Sequence, residues 1–232
     1  MSATQFRLPA NLTAVKLVAA LSNKLELHLA SRQTLLKTYY DSFDWRLYRE
    51  GVICELNHSR QSSSLMLIDR KNGELIASTI LFDVPSFSKQ FNPGKVRQTL
   101  EPILGVRALL AVCTLECEVH HFDILNKDEK IVLRIVIEEF ELLNSRLSLY
   151  PIKNHEKEAK QVAEIITKDL QLSAVDKPVI LEALSLQGRQ PKEDVPSKYI
   201  EGVDDRTYLS RQECTLITLA RLFSVICCVT SN

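Results

Sequence analysis

The chain has 232 residues, of which 45% are hydrophobic, enough for one sizeable core and part of a second. Lysine plus arginine and aspartate plus glutamate both number 29, so the formal net charge is zero. This balance argues against a strongly basic nucleic-acid binder, and we expect no specific nucleic-acid partner.

The first half of the chain consists of short runs in which apolar and polar residues alternate, a pattern typical of half-buried strands. Early in this half, Asn11 or Thr13 can cap a helix that runs to about Leu21. The Asp69–Gly73 segment predicts a hairpin turn, because an Asn-Gly pair tolerates positive φ. The predicted strands cover residues 3–8, 25–29, 35–40, 52–56, 62–68 and 74–82.

The second half predicts two long strands, a shorter one and three helices. Residues 126–129 form the predicted turn between the two long strands. Pro178 falls in the first turn of the last of these helices, where its missing N–H is tolerated. The strands cover residues 108–124, 130–142 and 147–150, and the helices cover 95–104, 155–170 and a segment that opens at 176–178.

The C-terminal part of the sequence differs in character. Residues 190–199 are polar and contain two prolines, which predicts a linker. Residues 211–230 are strongly apolar, but Arg221 lies in their middle and would cost about 2.5–3.5 kcal/mol at a bilayer centre. We therefore expect no membrane span, but a helix whose apolar sides need partners.

The cysteines are scattered, and none forms a pair with the spacing of a structural zinc site. No signal-peptide pattern precedes the first predicted strand. Reduced thiols are the simplest interpretation, and we predict a cytoplasmic protein. The six positions are Cys54, Cys113, Cys117, Cys214, Cys227 and Cys228.

Residues 38–51 concentrate aromatic side chains, carboxylates and arginines in an otherwise aromatic-poor chain. The aromatic rings can cover apolar surface, while Asp41 and Asp44 can accept backbone N–H groups in a turn. Gly51 permits a sharp change of direction before the next strand. With no Ser–His or Cys–His pairing and no phosphate loop, the segment predicts a packed corner.

Residues 39–51, together with Arg107–Leu110, Asn126–Lys130 and Arg134, resemble CYTH domains, and the similarity covers most of the chain. This superfamily contains class IV adenylyl cyclases, thiamine triphosphatases and inorganic triphosphatases. The bacterial subgroup that the chain resembles carries a helical CHAD domain after the CYTH domain.

The resemblance implies an α+β fold: an antiparallel barrel or tunnel of about eight strands with flanking helices, plus C-terminal helices. It also implies three segments. We expect a CYTH-like tunnel domain at 1–189, a linker at 190–210, and at 211–232 the truncated start of a CHAD-type domain.

In this superfamily, inward arginines and lysines bind triphosphate and glutamates hold divalent metals. Its first-strand signature, Glu-x-Glu-x-Lys, corresponds here to Ala3, Gln5 and Arg7, so only the basic residue persists. Placing the signature at residues 24–28 instead is disfavoured, because the predicted helix should follow it. Other matching positions have also changed: Ile53 and Glu55 replace two arginines, and Arg146, Ser148 and Tyr150 replace alternating glutamates.

One row of alternate residues on a predicted strand keeps charges, and comprises Lys130, Val132, Arg134, Val136 and Glu138. Lys130 and Arg134 could bind a phosphate together with Arg7, and Glu138 could be a single metal ligand. The alternative is a solvated strand face with a cross-strand ion pair. His120 and His121 point to opposite faces and cannot both bind one metal.

We therefore predict a degenerate, non-catalytic CYTH-like domain that binds polyphosphate, triphosphate or another phosphate-rich anion, or serves as a scaffold for a CHAD domain. We assign no catalytic residue and expect no cofactor. One alternative is a Mg²⁺- or Mn²⁺-dependent inorganic triphosphatase with a rearranged acid set. Its acids would be Glu26, Glu116, Glu118 and Glu138. Another is a protein-interaction module without a phosphate ligand.

Overall fold

A computed structural model describes residues 4–126, 128–175 and 177–191. This part of the chain forms one eight-stranded sheet and five α-helices. The strands are β1 (Thr4–Arg7), β2 (Leu27–Asp41), β3 (Val52–His58), β4 (Ser63–Asp69), β5 (Leu75–Ile80), β6 (Leu110–Leu125), β7 (Ile131–Phe140) and β8 (Arg146–Pro151). The helices are α1 (Ala14–Ser22), α2 (Arg46–Arg49), α3 (Lys95–Leu104), α4 (Glu156–Lys168) and α5 (Val179–Leu186).

The sheet is antiparallel throughout, with strand order β1-β8-β7-β6-β2-β3-β4-β5. Its longest strands, β2 and β6, are neighbours at the centre of the order. The predicted α+β fold of eight antiparallel strands with flanking helices is confirmed.

The sequence divided β2 into two strands, whereas the structure shows one strand of 15 residues. Its middle is polar and exposed, so the apolar alternation disappears there although the backbone remains paired with β6. Ala30 forms a bulge, because Leu29 pairs with Phe122 and Ser31 with the adjacent His121.

A second bulge changes which residues of β7 share a face. Ile131 pairs with Leu125 and Leu133 with Ile124, so Val132 is the extra residue. Val132 and Leu133 are consequently both buried in the same core. Lys130 therefore does not continue the alternation that starts at Arg134, and the predicted row of five residues is interrupted.

Helices cover the outer face of the sheet and bury its apolar residues. Thr13 caps α1 by accepting the backbone N–H of Lys16, as the sequence suggested. Helices α1 and α4 pack on β1, β6, β7 and β8, and α3 packs on β3, β4 and β5. A fully buried leucine or isoleucine in such a core contributes about 1.5–3 kcal/mol. The inner face is left for the polar residues of the alternating pattern.

The 38–51 segment forms the predicted packed corner. The carboxylate of Asp41 accepts backbone N–H groups from Ser42, Leu47 and Tyr48 at 2.7, 2.9 and 2.9 Å. Burial raises the pKa of Asp41, against the opposing effect of these three hydrogen bonds. Gly51 has a φ of 71°, which explains the glycine at this change of direction.

The three cysteines in the described ranges, Cys54, Cys113 and Cys117, are buried and free. Burial raises the pKa of each thiol, so all three stay protonated at neutral pH. Across 4–126, 128–175 and 177–191, the structure contains no helix long and apolar enough to cross a membrane. The predicted apolar helix at 211–232 and most of the predicted linker lie outside these ranges.

Replacing Asp41 with alanine should lower the free energy of unfolding by about 3 kcal/mol, because three backbone N–H groups, two of them in buried hydrogen bonds, lose their acceptor. Urea denaturation measures this loss. Asp83→Ala, a change at an exposed aspartate, is the control and should stay within about 0.5 kcal/mol of the parent chain. Equal effects of the two substitutions would contradict the structural role of Asp41.

Candidate functional site

The inner face of the sheet lines a cavity of about 810 Å³, a volume within the usual range for small-molecule sites. Alternate residues of β2, β3, β4, β6 and β7 form its wall, and Val179 and Ile180 of α5 contribute as well. The wall is mixed in character, with apolar side chains between charged and hydroxyl-bearing ones.

Three charged side chains meet inside this cavity. The ammonium of Lys37 on β2 lies 3.1 Å from Glu55 Oε1 on β3 and 2.5 Å from Glu138 Oε1 on β7. In the sheet order, β6 and β2 separate β7 from β3. Neighbouring strands are about 4.8 Å apart, and the long side chains of lysine and glutamate let the Lys37 ammonium contact both carboxylates across this spacing.

The three groups are almost completely withdrawn from solvent. The side chains of Lys37, Glu55 and Glu138 are 9%, 9% and 14% exposed. Burial alone would lower the pKa of Lys37, but the charges of Glu138 and Glu55 outweigh it and raise this pKa well above its usual value. Lys37 therefore remains a cation throughout the physiological pH range.

Tyr39 extends the buried network along β2. Its hydroxyl forms a hydrogen bond with Glu55, and burial, followed by the charge of Glu55, raises the pKa of Tyr39 well above its usual value. The phenol is therefore neutral at physiological pH and can donate to the carboxylate. The carboxylates thus face one fixed cation and one fixed neutral donor.

The structure places two of the four predicted site residues on the cavity wall. Glu138, the predicted metal ligand, pairs with Lys37. Arg134 also lines the cavity, with its Nε 3.3 Å from Asp123 Oδ1 and its side chain 57% exposed. Arg134 and Glu138 are four residues apart on β7, with Val136 between them on the same face, which corresponds to about 13 Å along the strand.

Arg7 and Lys130 lie elsewhere. Arg7 is opposite Arg146 in the pairing of β1 with β8, and its guanidinium forms an ion pair with Glu182 of α5. Lys130 is exposed in the β6–β7 turn, where its backbone N–H donates to Asn126 Oδ1. The structure therefore does not bring Lys130 together with Arg134, because the bulge at Val132 breaks the row.

The acids proposed for a rearranged hydrolytic set do not meet. Of the four, only Glu138 lines the cavity. Glu118 pairs with Arg32, Glu116 is exposed, and Glu26 precedes β2 with its carboxylate 3.3 Å from His28. The predicted separation of His120 and His121 is confirmed, since His121 lines the cavity while His120 contacts Glu139.

Lys37 was not predicted from the sequence to be a functional residue, and Glu55 was predicted only to replace an arginine of the CYTH pattern. The sequence did contain a weak indication, because Lys37 and Glu55 each lie two residues from neighbours on the same strand that face the cavity. Recognising their contact required the β2–β3 register, in which Lys37 is paired with Asn57 and Tyr39 with Glu55.

The resemblance to CYTH domains noted in the sequence implies a divalent metal held by inward carboxylates, and this cavity does not fit one. Two inward carboxylates, Glu55 and Glu138, do reach a common point, but the Lys37 ammonium occupies it. A metal bound there would have to displace a buried cation that contacts both of its ligands. Mg²⁺ gives up its hydration reluctantly and needs free carboxylate oxygens.

A further buried cation lies on the same face of β8 as the wall residue Tyr150. The Arg146 side chain is 1% exposed, and its Nη2 lies 2.8 Å from Glu182 Oε1. Despite that short distance, none of its guanidinium N–H groups makes a hydrogen bond of good geometry. Arg7 and Arg146 thus share one carboxylate, and Arg146 keeps donors without an aligned acceptor.

No protein-family model matches the sequence, and no curated protein matches it. Solved structures do share its fold. A proposed adenylate cyclase from Bacillus halodurans superposes with a TM-score of 0.55 at 13% identity, covering 78% of this chain and 94% of that one. One from Vibrio parahaemolyticus gives 0.51 at 10% identity, covering 79% and 96%.

A third structure is a proposed adenylyl cyclase from Hippeastrum, described as having a dominant triphosphatase activity. It superposes with a TM-score of 0.54 at 12% identity, covering 82% of this chain and 97% of that one. At these identities the likeness shows a shared fold, which agrees with the predicted tunnel architecture.

Lys37→Met should lower the free energy of unfolding by about 3–5 kcal/mol at neutral pH, because two buried carboxylates lose their cation. The folded-state pKa of Lys37 is raised, so its contribution is complete below the ordinary lysine pKa of about 10.4 and is lost as pH rises through the folded value. The difference between parent and variant should therefore stay constant from neutral pH to about pH 10 and shrink above it.

Urea denaturation across this pH range measures that difference. Lys130→Met removes an exposed lysine in a turn and serves as the control, with an expected change within about 0.5 kcal/mol. A Lys37→Met variant as stable as the control variant would contradict the buried ion cluster.

Proposed function

We propose that this chain binds phosphate-rich anions, such as triphosphate or polyphosphate, in its cavity and does not hydrolyse them. The observation that carries the proposal is the position of the Lys37 ammonium between Glu55 and Glu138. Metal-dependent hydrolysis of a triphosphate needs carboxylates that hold a divalent ion against the phosphate oxygens. Here the carboxylates that could do so are neutralised by a side chain of the protein itself.

The charge of the wall supports an anionic ligand. The ionisable wall residues, with histidine taken as neutral, are four cations, Lys37, Arg70, Lys71 and Arg134, and three acids, Glu55, Asp69 and Glu138, a net charge of +1. Asp69 is already engaged, since its Oδ1 accepts the backbone N–H groups of Lys71 and Asn72.

Arg134 is the wall cation best suited to contact phosphate. Its guanidinium lines the cavity and is more than half exposed, so a ligand can reach it without displacing a buried group. A guanidinium can donate two parallel hydrogen bonds to phosphate oxygens, a geometry that an ammonium lacks. The existing contact with Asp123 is partly exposed, and such pairs contribute little.

The choice of triphosphate and polyphosphate rests on the fold. The Hippeastrum structure that shares it is described as a triphosphatase, and the sequence resemblance is to CYTH domains that accompany CHAD domains. We also propose that the chain can serve as a scaffold for a CHAD domain. The support for this role is the sequence resemblance to CYTH domains that precede CHAD domains.

Isothermal titration of the intact chain with tripolyphosphate should show binding without Mg²⁺, and Mg²⁺ should produce no release of phosphate. Arg134→Gln should weaken binding about tenfold, as expected for the loss of one charge-assisted contact. Lys130→Gln removes the same charge outside the cavity and should leave affinity within about twofold, given that an exposed distant charge is screened.

Two outcomes would overturn the proposal in different ways. Release of phosphate that depends on Mg²⁺ or Mn²⁺ and disappears in Glu138→Gln would establish the triphosphatase alternative. No binding of tripolyphosphate or of long-chain polyphosphate would favour an interaction module without a phosphate ligand.

A further inference from the structure

We infer that Glu118, His120 and Glu139 form a binding site for a divalent transition-metal ion such as Zn²⁺, on the outer face of the sheet and separate from the cavity. His120 Nε2 lies 3.1 Å from Glu139 Oε2 and 4.0 Å from Glu118 Oε2. The three potential ligand atoms all lie within 4.8 Å of one another.

The register of β6 and β7 creates this cluster. Glu118 and Glu139 are directly paired across the two strands, and His120 is two residues beyond Glu118 on the same face. Like charges in such a cross-strand pair repel each other unless a cation lies near them. The pairing therefore places two carboxylates and an imidazole around one point.

The spacing is close to that of a metal centre. Ligand atoms about 2.1 Å from a tetrahedral zinc ion are about 3.4 Å apart, so the donors need to move by roughly 1 Å or less. Three protein ligands would leave a further coordination position for water. One imidazole with two carboxylates suits Zn²⁺ better than Mg²⁺, which prefers oxygen ligands alone.

Each carboxylate is already oriented toward the shared point by a second partner. Glu139 Oε1 accepts the backbone N–H of Ala14, at the start of α1, at 2.8 Å. Glu118 Oε1 accepts a hydrogen bond from Arg32 Nε. Both carboxylates thus have one oxygen held and turn the other, Oε2, toward His120, the arrangement by which outer partners orient metal ligands.

This cluster differs from the cavity, where a lysine fills the centre. The Lys37 ammonium is buried and contacts both of its carboxylates, whereas Arg32 is 62% exposed and holds a single oxygen of Glu118. A metal ion can therefore enter this cluster without displacing a buried cation. It would lie between Glu118 Oε2, His120 Nε2 and Glu139 Oε2. The His120 side chain is 8% exposed, so its ring is held in place before a metal binds.

The test is titration of Zn²⁺ into the intact, chelator-treated chain by isothermal calorimetry. His120→Asn and Glu139→Gln should each weaken binding by at least about tenfold, since each removes one of three ligands. Gln at position 139 keeps an acceptor for the Ala14 N–H, so helix α1 retains its contact. Glu118→Gln changes a more exposed residue and gives a third variant should either of the others fail to fold.

His155→Asn is the matched control. His155 Nδ1 lies 3.1 Å from Glu158 Oε1, but this pair belongs to no three-donor group in the part of the chain that the structure describes. Its loss should change the affinity for Zn²⁺ by no more than about twofold, because a lone surface His–carboxylate pair supplies too few ligands.

Substitution with Co²⁺ separates this site from cysteine ligation. The proposal predicts d–d absorption bands that are lost in His120→Asn and no thiolate charge-transfer band. A charge-transfer band, a Zn²⁺ affinity unchanged in His120→Asn, or no binding by the parent chain would overturn it. None of these outcomes depends on phosphate binding in the cavity.

Discussion

The contact of Lys37 with Glu55 and Glu138 is the constraint on which the inner face of this protein depends. A buried charge is costly unless it is paired, and here one ammonium pairs with two carboxylates from strands that are not neighbours. The residues of β2, β3, β4, β6 and β7 that line the cavity surround the cluster, and its three side chains are almost completely withdrawn from water.

The same alternation of side chains gives the sheet two different faces. Apolar residues on the outer face pack under α1, α3 and α4, and polar residues on the inner face surround the cavity. On the inner face, a lysine supplies the positive charge between the carboxylates, which leaves no free acid pair for a metal. On the outer face, Glu118 and Glu139 are exposed enough for an external cation to reach them.

Much of the architecture was predictable because it follows local rules. Alternating residues predicted every strand of the sheet, and Thr13 and Gly51 marked a helix cap and a turn that the structure contains. The continuity of β2 and the bulge at Val132 were not predictable, since long-range pairing with β6 determines both. Arg134 and Glu138 line the cavity, whereas Lys130 lies in the β6–β7 turn. The contact between Lys37, Glu55 and Glu138 joins distant parts of the sequence, and only the register reveals it.

The most direct measurement of the central claim is anomalous X-ray scattering from crystals of the parent chain and of Lys37→Met soaked in Mn²⁺. We expect no manganese between Glu55 and Glu138 in the parent chain, and a manganese ion bound by both carboxylates once the ammonium is removed. Manganese bound by Glu55 and Glu138 in the parent chain, with Lys37 displaced from between them, would contradict this expectation.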